Sequence, residues 1–256
     1  MTGRYVEHVM GMPISLALRG RHTDDAAARS AWATVMDSLR DADRVFSTYR
    51  ADSCVSRLER GEVGLEDCPP EVAEVFALGA AAEGESGGAF SIRLPGPDGR
   101  TVLDPSGVVK GWAVERAAPA LQALADTDYS LSAGGDITCR TLDPAAPPWR
   151  IGIEDPAVPR RVLAIVPVHT GAVATSGTAH RGRHLLDART GLAPVGVASV
   201  TVVAASLTWA DIDATAAYAH GPGAARWLET RRGRSGLVVW ADGSTTSVEP
   251  VVAESR

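Results

Sequence analysis

The chain has 256 residues, of which 45% are hydrophobic and 22% are charged, and its formal net charge is −6. This composition is typical of a folded globular protein and excludes a disordered or membrane-embedded chain, and the acidic charge argues against a nucleic-acid-binding protein, which needs a concentrated basic face. The sequence has neither an apolar run of the roughly 18 residues that span a membrane nor a signal-peptide pattern, so we expect a cytoplasmic protein without a membrane span.

The first half of the chain predicts one strand followed by helices. Residues 12–19 alternate between apolar and polar types, as a half-buried strand does. Thr23, followed by two aspartates, predicts a helix N-cap. Apolar residues at helical spacing and helix-ending glycines then predict three helices, over about residues 24–46, 69–88 and 111–126. Pro119 must kink or shorten the third of them.

From Tyr129 onward the sequence is rich in short β-type runs separated by Gly, Pro and Asp. A further helix follows, with Thr208 as its expected N-cap and Gly221 just past its end. The chain closes with a hairpin that turns at Asp242-Gly243. Because no βαβ alternation, GxGxxG motif or Walker loop is present, we expect an α+β fold with a mixed, largely antiparallel sheet and packed helices, in one domain over residues 1–256.

The sequence predicts structural roles for the three cysteines and for the densest run of basic residues. Cys54, Cys68 and Cys139 show no CxxC spacing, which predicts three small, unpaired hydrophobic residues in a reducing compartment. The basic run at 231–234 falls at an expected helix end, where cations complement the helix dipole and need no ligand.

Lys110 is the only lysine in a chain with twenty-four arginines. In such a biased composition, a retained lysine indicates a need for a compact, mobile charge that arginine does not copy. The preceding glycine-bearing loop and an expected helix start would add amide groups and a positive dipole end, which together suit a phosphate. A turn followed by one exposed lysine is the alternative.

Three other clusters could carry chemistry. Asp211 and Thr215 are four residues apart on one helical face and suit Mg²⁺, or the aspartate simply complements the helix dipole. His184 stands near Asp187 before a turn, where it could accept a proton or simply lie on the surface. The "SAGGD" segment, which ends at Asp136, would let a ligand approach the backbone or form a hairpin.

Taken together and in order, these motifs resemble the ApbE family of FAD:protein FMN transferases. The resemblance rests on "MGM" near the start and then on "FSTYRADSCVSRL", "GGAFSI", "LDPSGVVKGWAVE", "SAGGD", "WRIGIEDP", "VATSG", "HLLDARTG" and "ADIDATAA". It implies an enzyme that uses Mg²⁺ and FAD, transfers FMN to a Ser or Thr hydroxyl of an acceptor protein, and releases AMP.

The resemblance also implies roles for individual residues. It places His184 as the general base and the metal ligands on Asp211, Thr215 and the backbone carbonyl of Gly107. The implied cofactor-binding residues are Met10, Tyr49, Ala89, Phe90, Asp104, Lys110 and Leu185. If Lys110 serves the cofactor, Lys110→Ala should keep a cooperative melt and lose transfer activity.

Departures from the family pattern leave two other functions open. Glu59 stands where the family often has Asn, which would put an anion near the cofactor groove, and Ser91 replaces a commoner Asp. A Mg²⁺-dependent FAD pyrophosphatase, giving FMN and AMP, is therefore an alternative. A non-catalytic flavin-binding protein is a third hypothesis, although it would be expected to have lost Asp211 or Thr215.

Overall fold

The structure is a computed structural model that describes residues 2–96, 99–177 and 185–250. Its helices are α1 (Ala26–Phe46), α2 (Cys54–Glu59), α3 (Pro70–Glu85), α4 (Ser106–Ala117), α5 (Pro119–Gln122), α6 (Leu207–Ala219) and α7 (Ala224–Leu228). Its strands are β1 (Thr2–Val9), β2 (Met12–Gly20), β3 (Arg93–Pro95), β4 (Thr101–Leu103), β5 (Thr127–Ala133), β6 (Asp136–Arg140), β7 (Trp149–Glu154), β8 (Val162–Val168), β9 (Thr170–Gly177), β10 (Val197–Ala204), β11 (Ser235–Trp240) and β12 (Thr245–Val248).

Eight of these strands form one antiparallel sheet in the order β1-β2-β5-β6-β9-β10-β11-β12. The tight turn Gly134-Gly135 joins β5 to β6, and both glycines have positive φ, which side-chain-bearing residues rarely adopt. The sheet and its packed helices confirm the predicted α+β fold.

Helices α1, α4 and α6 cover one face of the sheet and form the main core with it. Alternate residues of β2, namely Ile14, Leu16 and Leu18, are buried against them, as the period of two requires. Every third or fourth residue of α1 is buried in the same core, including Trp32, Val35, Met36 and Leu39. Helix α6 lies across β9 and β10, and α4 packs on α6.

The β7–β8 hairpin forms a separate two-stranded sheet on the other face. Ile151 and Val168 of the hairpin pack against Cys139 and Val173 of β6 and β9 in a second, smaller core. Ile165 and Val162 of the same hairpin are exposed. The central sheet is therefore covered on both faces near β6, β9 and β10, by helices on one side and by this hairpin on the other.

Several predicted boundaries were wrong by a few residues. Asp25 rather than Thr23 caps α1, accepting a hydrogen bond from the Ala28 amide at 2.9 Å, because the chain turns into the helix two residues later than expected. Ser206 rather than Thr208 caps α6, since the Thr208 hydroxyl instead donates to Glu115.

Helix α4 begins at Ser106, so Lys110 lies in its second turn and not at its start. The loop that was expected before Lys110 is therefore helical. The prediction of a break at Pro119 was correct: α4 ends at Ala117 and α5 starts at the proline.

Two structural interpretations were also wrong. Cys54 and Cys68 form a disulfide that links the start of α2 to the segment before α3, and Cys139 is the free cysteine. In the basic run, Arg231 and Arg234 do not simply complement a helix end but bind the buried Asp213 of α6. No helix in the described ranges is both long and apolar enough to cross a membrane.

Candidate functional site

A cavity of about 520 Å³ opens where strands β2, β6 and β10 begin and strand β9 ends. The C-terminal end of α1, the first turns of α4, one face of α6 and the end of β7 surround it. Seven residues predicted from the family resemblance line this cavity: Met10, Tyr49, Gly107, Lys110, Leu185, Asp211 and Thr215. Segments far apart in sequence thus meet at a single site.

The first turn of α4 is shaped by its neighbours. Asp104 Oδ1 accepts a hydrogen bond from the Ser106 amide at 3.0 Å, which satisfies one of the helix's free amide groups. A Cβ on Gly107 would lie 2.9 Å from Phe90 Cε2, so this position has no room for a side chain. Close packing thus fixes the backbone of Gly107 at the cavity wall.

Helices α4 and α6 also approach each other closely. A Cβ on Gly111 would lie 2.8 Å from the Leu207 carbonyl oxygen and 3.0 Å from Asp211 Cβ. The Gly111 amide, which in a regular helix points to the carbonyl of Gly107, donates to Asp211 Oδ2 at 3.1 Å. The glycine therefore brings the α6 carboxylate against the α4 backbone.

Lys110 lies between two buried carboxylates. Its Nζ is 3.2 Å from Asp211 Oδ1 and also forms an ion pair with Asp136 Oδ2. The two aspartate side chains are each only 2% exposed. One ammonium thus balances two carboxylates, and we call Lys110, Asp136 and Asp211 the cavity charge cluster.

The pKa values in this cluster follow from burial and charge. Burial lowers the pKa of Lys110, but the carboxylates of Asp211 and Asp136 raise it further, so the net pKa is above the usual value and the lysine is charged. Burial raises the pKa of Asp211 above its ordinary value, despite the opposing effect of Lys110. When it is ionised, the Asp211 carboxylate is therefore not fully neutralised by Lys110.

The residues predicted as metal ligands offer donors that suit Mg²⁺. Asp211 supplies carboxylate oxygens, Gly107 a backbone carbonyl, and Thr215 a hydroxyl that lies 2.9 Å from the Ser176 hydroxyl. Hard oxygen donors, with one or two carboxylates and room for substrate phosphates, are what Mg²⁺ prefers. The excess negative charge of the cavity charge cluster fits a divalent cation as well.

Three predicted cofactor-binding residues lie outside the cavity wall. Ala89 and Phe90 are buried, and the Phe90 ring packs behind Gly107, so it shapes the wall without reaching the cavity. The Asp104 carboxylate already accepts a hydrogen bond from the Ser106 amide at the start of α4. Their predicted contacts with the cofactor remain predictions.

The predicted general base, His184, lies outside the described residues, so its position relative to the cavity remains a prediction. Leu185, which follows it, lines the cavity. Farther along, the Ala188 amide donates to the Ala89 carbonyl at 3.1 Å. The chain on the C-terminal side of His184 is thus held next to the "GGAF" segment.

The departures from the family pattern do not lie in the cavity wall. Glu59 Oε1 accepts a hydrogen bond from the Leu103 amide at 3.1 Å, so it joins α2 to β4 and was wrongly expected to face the cofactor groove. Ser91 bonds to Glu83 Oε2 at 2.8 Å. Neither residue gives the cavity a feature that favours hydrolysis.

Several residues of the wall or cluster had no site role assigned from the sequence, among them Asp136, Asp43 and Ser199. Asp136 ends the "SAGGD" segment, which was noticed as a possible site, but its pairing with Lys110 has no local sequence signal. Asp43 on α1 and Ser199 on β10 also line the cavity. Both lie in ordinary helix or strand patterns, and nothing in the sequence distinguishes them.

Comparisons with known proteins identify the family of the chain. A model of the ApbE family matches residues 93–238, which is more than half of the chain. A FAD:protein FMN transferase of Vibrio cholerae is 37% identical over 120 residues, covering 43% of this chain and 36% of the relative. The Escherichia coli K12 protein of that name is 27% identical over 154 residues, covering 56% of this chain and 44% of the relative. The matched stretches thus span less than half of these relatives' length.

Solved structures match over nearly the whole chain. The apo form of the Pseudomonas stutzeri flavinyl transferase ApbE has a TM-score of 0.81 at 27% identity, covering 97% of this chain and 95% of that one. An ApbE protein from Thermotoga maritima has a TM-score of 0.82 at 20% identity, covering 97% of both chains, which shows the shared fold. With the family model matching more than half of its length, the chain belongs to the ApbE family.

Proposed function

We propose that this protein transfers FMN from FAD to a Ser or Thr hydroxyl of an acceptor protein, with release of AMP and with Mg²⁺ as cofactor. The observation that carries the proposal is the cavity itself, where the cavity charge cluster, Thr215 and the Gly107 backbone meet. The relatives named FAD:protein FMN transferase support the same reaction.

In this reaction the acceptor hydroxyl oxygen forms a bond to the FMN phosphorus of FAD. The bond from that phosphorus to the bridging oxygen breaks, and the bridging oxygen leaves with its electron pair as part of AMP. The hydroxyl proton passes to a general base. Such transfers depend mainly on positioning and on neutralising the charge of the phosphate oxygens.

The chain's own residues supply both needs. Asp211, Thr215 and the Gly107 carbonyl would hold Mg²⁺ at the cavity wall. When bound there, the metal would neutralise charge on the pyrophosphate oxygens. Lys110 would hold its ammonium beside the leaving AMP phosphate, and its raised pKa keeps it charged at neutral pH. The predicted role of His184 is to take the proton from the attacking hydroxyl.

An assay for covalent flavin tests the proposal. The protein is incubated with FAD, Mg²⁺ and a candidate acceptor encoded beside its gene, and the denaturing gel is examined for flavin fluorescence on the acceptor band. Covalent flavin on the acceptor is the expected result. Free FMN and AMP without labelled acceptor would support the pyrophosphatase instead, and unchanged bound FAD would support a non-catalytic flavin-binding protein.

Paired histidine variants test the proposed base. His184→Gln should bind FAD as the wild type does but lose transfer by about 100-fold or more, because general-base catalysis contributes on that order. His8→Gln changes an exposed histidine of β1 and should leave transfer unchanged. Equal transfer rates in both variants would exclude His184 as the base.

The cytoplasmic location stays a prediction, and the Cys54–Cys68 disulfide counts against it because disulfides persist in oxidising compartments. Thiol titration of the denatured protein, isolated without reductant, should show one free thiol, and three after reduction. Burial raises the pKa of Cys139 to about 11, so the folded protein should react slowly with alkylating reagents. Three free thiols before reduction would favour the reducing cytoplasm.

A further inference from the structure

Ser199 has a buried hydroxyl group without a partner at the cavity wall. The residue is 3% exposed, and its Oγ makes no hydrogen bond to any part of the chain that the structure describes. A buried hydroxyl without a partner costs free energy, and native proteins keep few of them. Because Ser199 also lines the cavity, a ligand in the cavity could supply the missing partner.

The strand register shows on which side of the cavity Ser199 lies. It pairs with Gly177 at the end of β9, while the neighbouring Val200 is fully buried in the main core under α6. Since side chains alternate along a strand, Ser199 lies on the opposite face, the one that the β7–β8 hairpin covers. Gly152 and Glu154 of that hairpin line the same cavity.

A comparison with Thr201 shows that the missing partner is specific to Ser199. Thr201 lies two residues along β10 on the same face and is fully buried. Its Oγ1 is 2.9 Å from Thr175 Oγ1, so its hydroxyl is satisfied within the protein. The strand can therefore satisfy buried hydroxyl groups on this face, but it does not do so at the cavity.

Two other buried side-chain atoms lack a hydrogen bond in the described ranges, and neither offers the same opportunity. Asp136 Oδ2 is in an ion pair with Lys110. Arg140 Nε belongs to a guanidinium that already donates to the Gln122 carbonyl and does not line the cavity. Of the three groups, Ser199 is thus the one that lines the cavity and has neither a hydrogen bond nor an ion pair to the described residues.

We infer that the Ser199 hydroxyl hydrogen-bonds FAD on the β7–β8 side of the cavity. This inference rests on the proposed function, since it takes FAD as the occupant. Ser199 is then a substrate-binding residue on the sheet face opposite to Ser176 and Thr215. The two faces of the sheet, at the ends of its strands, thus hold different parts of one FAD molecule.

Ser199→Ala separates a binding role from a structural one. A serine with a structural role loses a hydrogen bond when truncated, and the protein becomes less stable. Ser199 has no such bond to lose, so the variant without FAD should melt at or slightly above the wild-type temperature. Titration with FAD, followed by flavin fluorescence with and without Mg²⁺ and without acceptor, should show a dissociation constant raised by about three- to ten-fold.

Thr201→Val is the matched control, because it removes a bonded hydroxyl from the same strand face. It should melt at a lower temperature than wild type and bind FAD with the wild-type dissociation constant. An unchanged dissociation constant in Ser199→Ala would overturn the inference, as would equal weakening in both variants, which would indicate an effect of the strand. A wild-type protein that binds no FAD would overturn the proposed function and this inference together.

Discussion

Two aspartates on helix α6 lie two residues apart, are almost fully buried, and sit in opposite surroundings. Asp211 faces the cavity and shares the single ammonium of Lys110 with Asp136. Asp213 faces away from the cavity and binds two guanidinium groups, Arg231 Nε at 3.0 Å and Arg234 Nε at 2.8 Å. We call Asp213 with Arg231 and Arg234 the arginine clamp.

The two groups differ in charge balance. In the cavity charge cluster, carboxylates outnumber cations, whereas the arginine clamp is neutral once the Glu85 carboxylate on Arg231 is included. Burial raises the pKa of Asp213 above its ordinary value, and both arginines oppose that effect. A buried carboxylate whose charge is fully balanced needs no further cation, whereas one that shares a cation beside a cavity is suited to bind another.

The largest expected effect comes from removing the cation of the cavity charge cluster. Lys110→Met keeps the side-chain volume but leaves Asp136 and Asp211 buried without a countercharge, which should cost about 3–5 kcal/mol of unfolding free energy. Urea denaturation without Mg²⁺ measures this loss. Adding Mg²⁺ should raise the melting temperature of the variant more than that of the wild type, because binding to the folded state stabilises it.

This expectation differs from the one based on sequence, in which Lys110 served only the cofactor and its loss left folding intact. A Lys110→Met variant as stable as wild type would show that the two carboxylates need no ammonium. That result would support the expectation from the sequence that Lys110 serves only the cofactor. It would also remove the contrast between the cavity charge cluster and the arginine clamp.

A smaller loss is expected from the arginine clamp. Asp213→Asn leaves two guanidinium groups without their shared carboxylate, but Arg231 and Arg234 are 15% and 22% exposed and Glu85 remains. We therefore expect a loss of about 2–3 kcal/mol, below that of a fully buried pair. Mg²⁺ should not restore it, and FAD should bind as in the wild type at a temperature where the variant is folded. Recovery with Mg²⁺ would contradict the structural role.

Asp211→Asn should change stability by no more than about 1 kcal/mol, because the asparagine oxygen can still accept from the Gly111 amide and Lys110 keeps Asp136. The variant should lose the Mg²⁺-dependent part of FAD binding, which calorimetry with and without Mg²⁺ measures. The two variants should therefore show opposite patterns: Asp213→Asn loses stability, and Asp211→Asn loses metal-dependent binding. An Asp211→Asn variant with full Mg²⁺ dependence would exclude Asp211 as a ligand.

Much of the secondary structure was predictable, because it depends on nearby residues. The alternation of Ile14, Leu16 and Leu18 predicted β2, and the hairpin turn at Asp242-Gly243 is present. Strand β1 was missed because it is an edge strand with no fully buried residue and hence no clear apolar pattern. The Cys54–Cys68 pairing was missed because the spacing of cysteines does not reveal which of them meet.

The site was predictable in its residue types but not in its contacts. The unusual single lysine drew attention to Lys110, and the family resemblance selected residues on six segments. Contacts between distant segments, such as Lys110 with Asp136, depend on strand order and helix packing, for which the sequence has no local signal. The same reason explains why Arg231 and Arg234 were assigned to a helix end.

The smallest expected effect sharpens the comparison within that basic run. Arg232 lies between the two clamp residues but is exposed, and its side chain forms no ion pair with the described residues. Arg232→Ala should therefore change the unfolding free energy by less than about 0.5 kcal/mol. Arg234→Ala removes the same charge from the chain but leaves Asp213 with one guanidinium fewer, and it should cost more. Equal losses in the two variants, measured by urea denaturation, would mean that the run acts through its total charge and not through the contacts with Asp213.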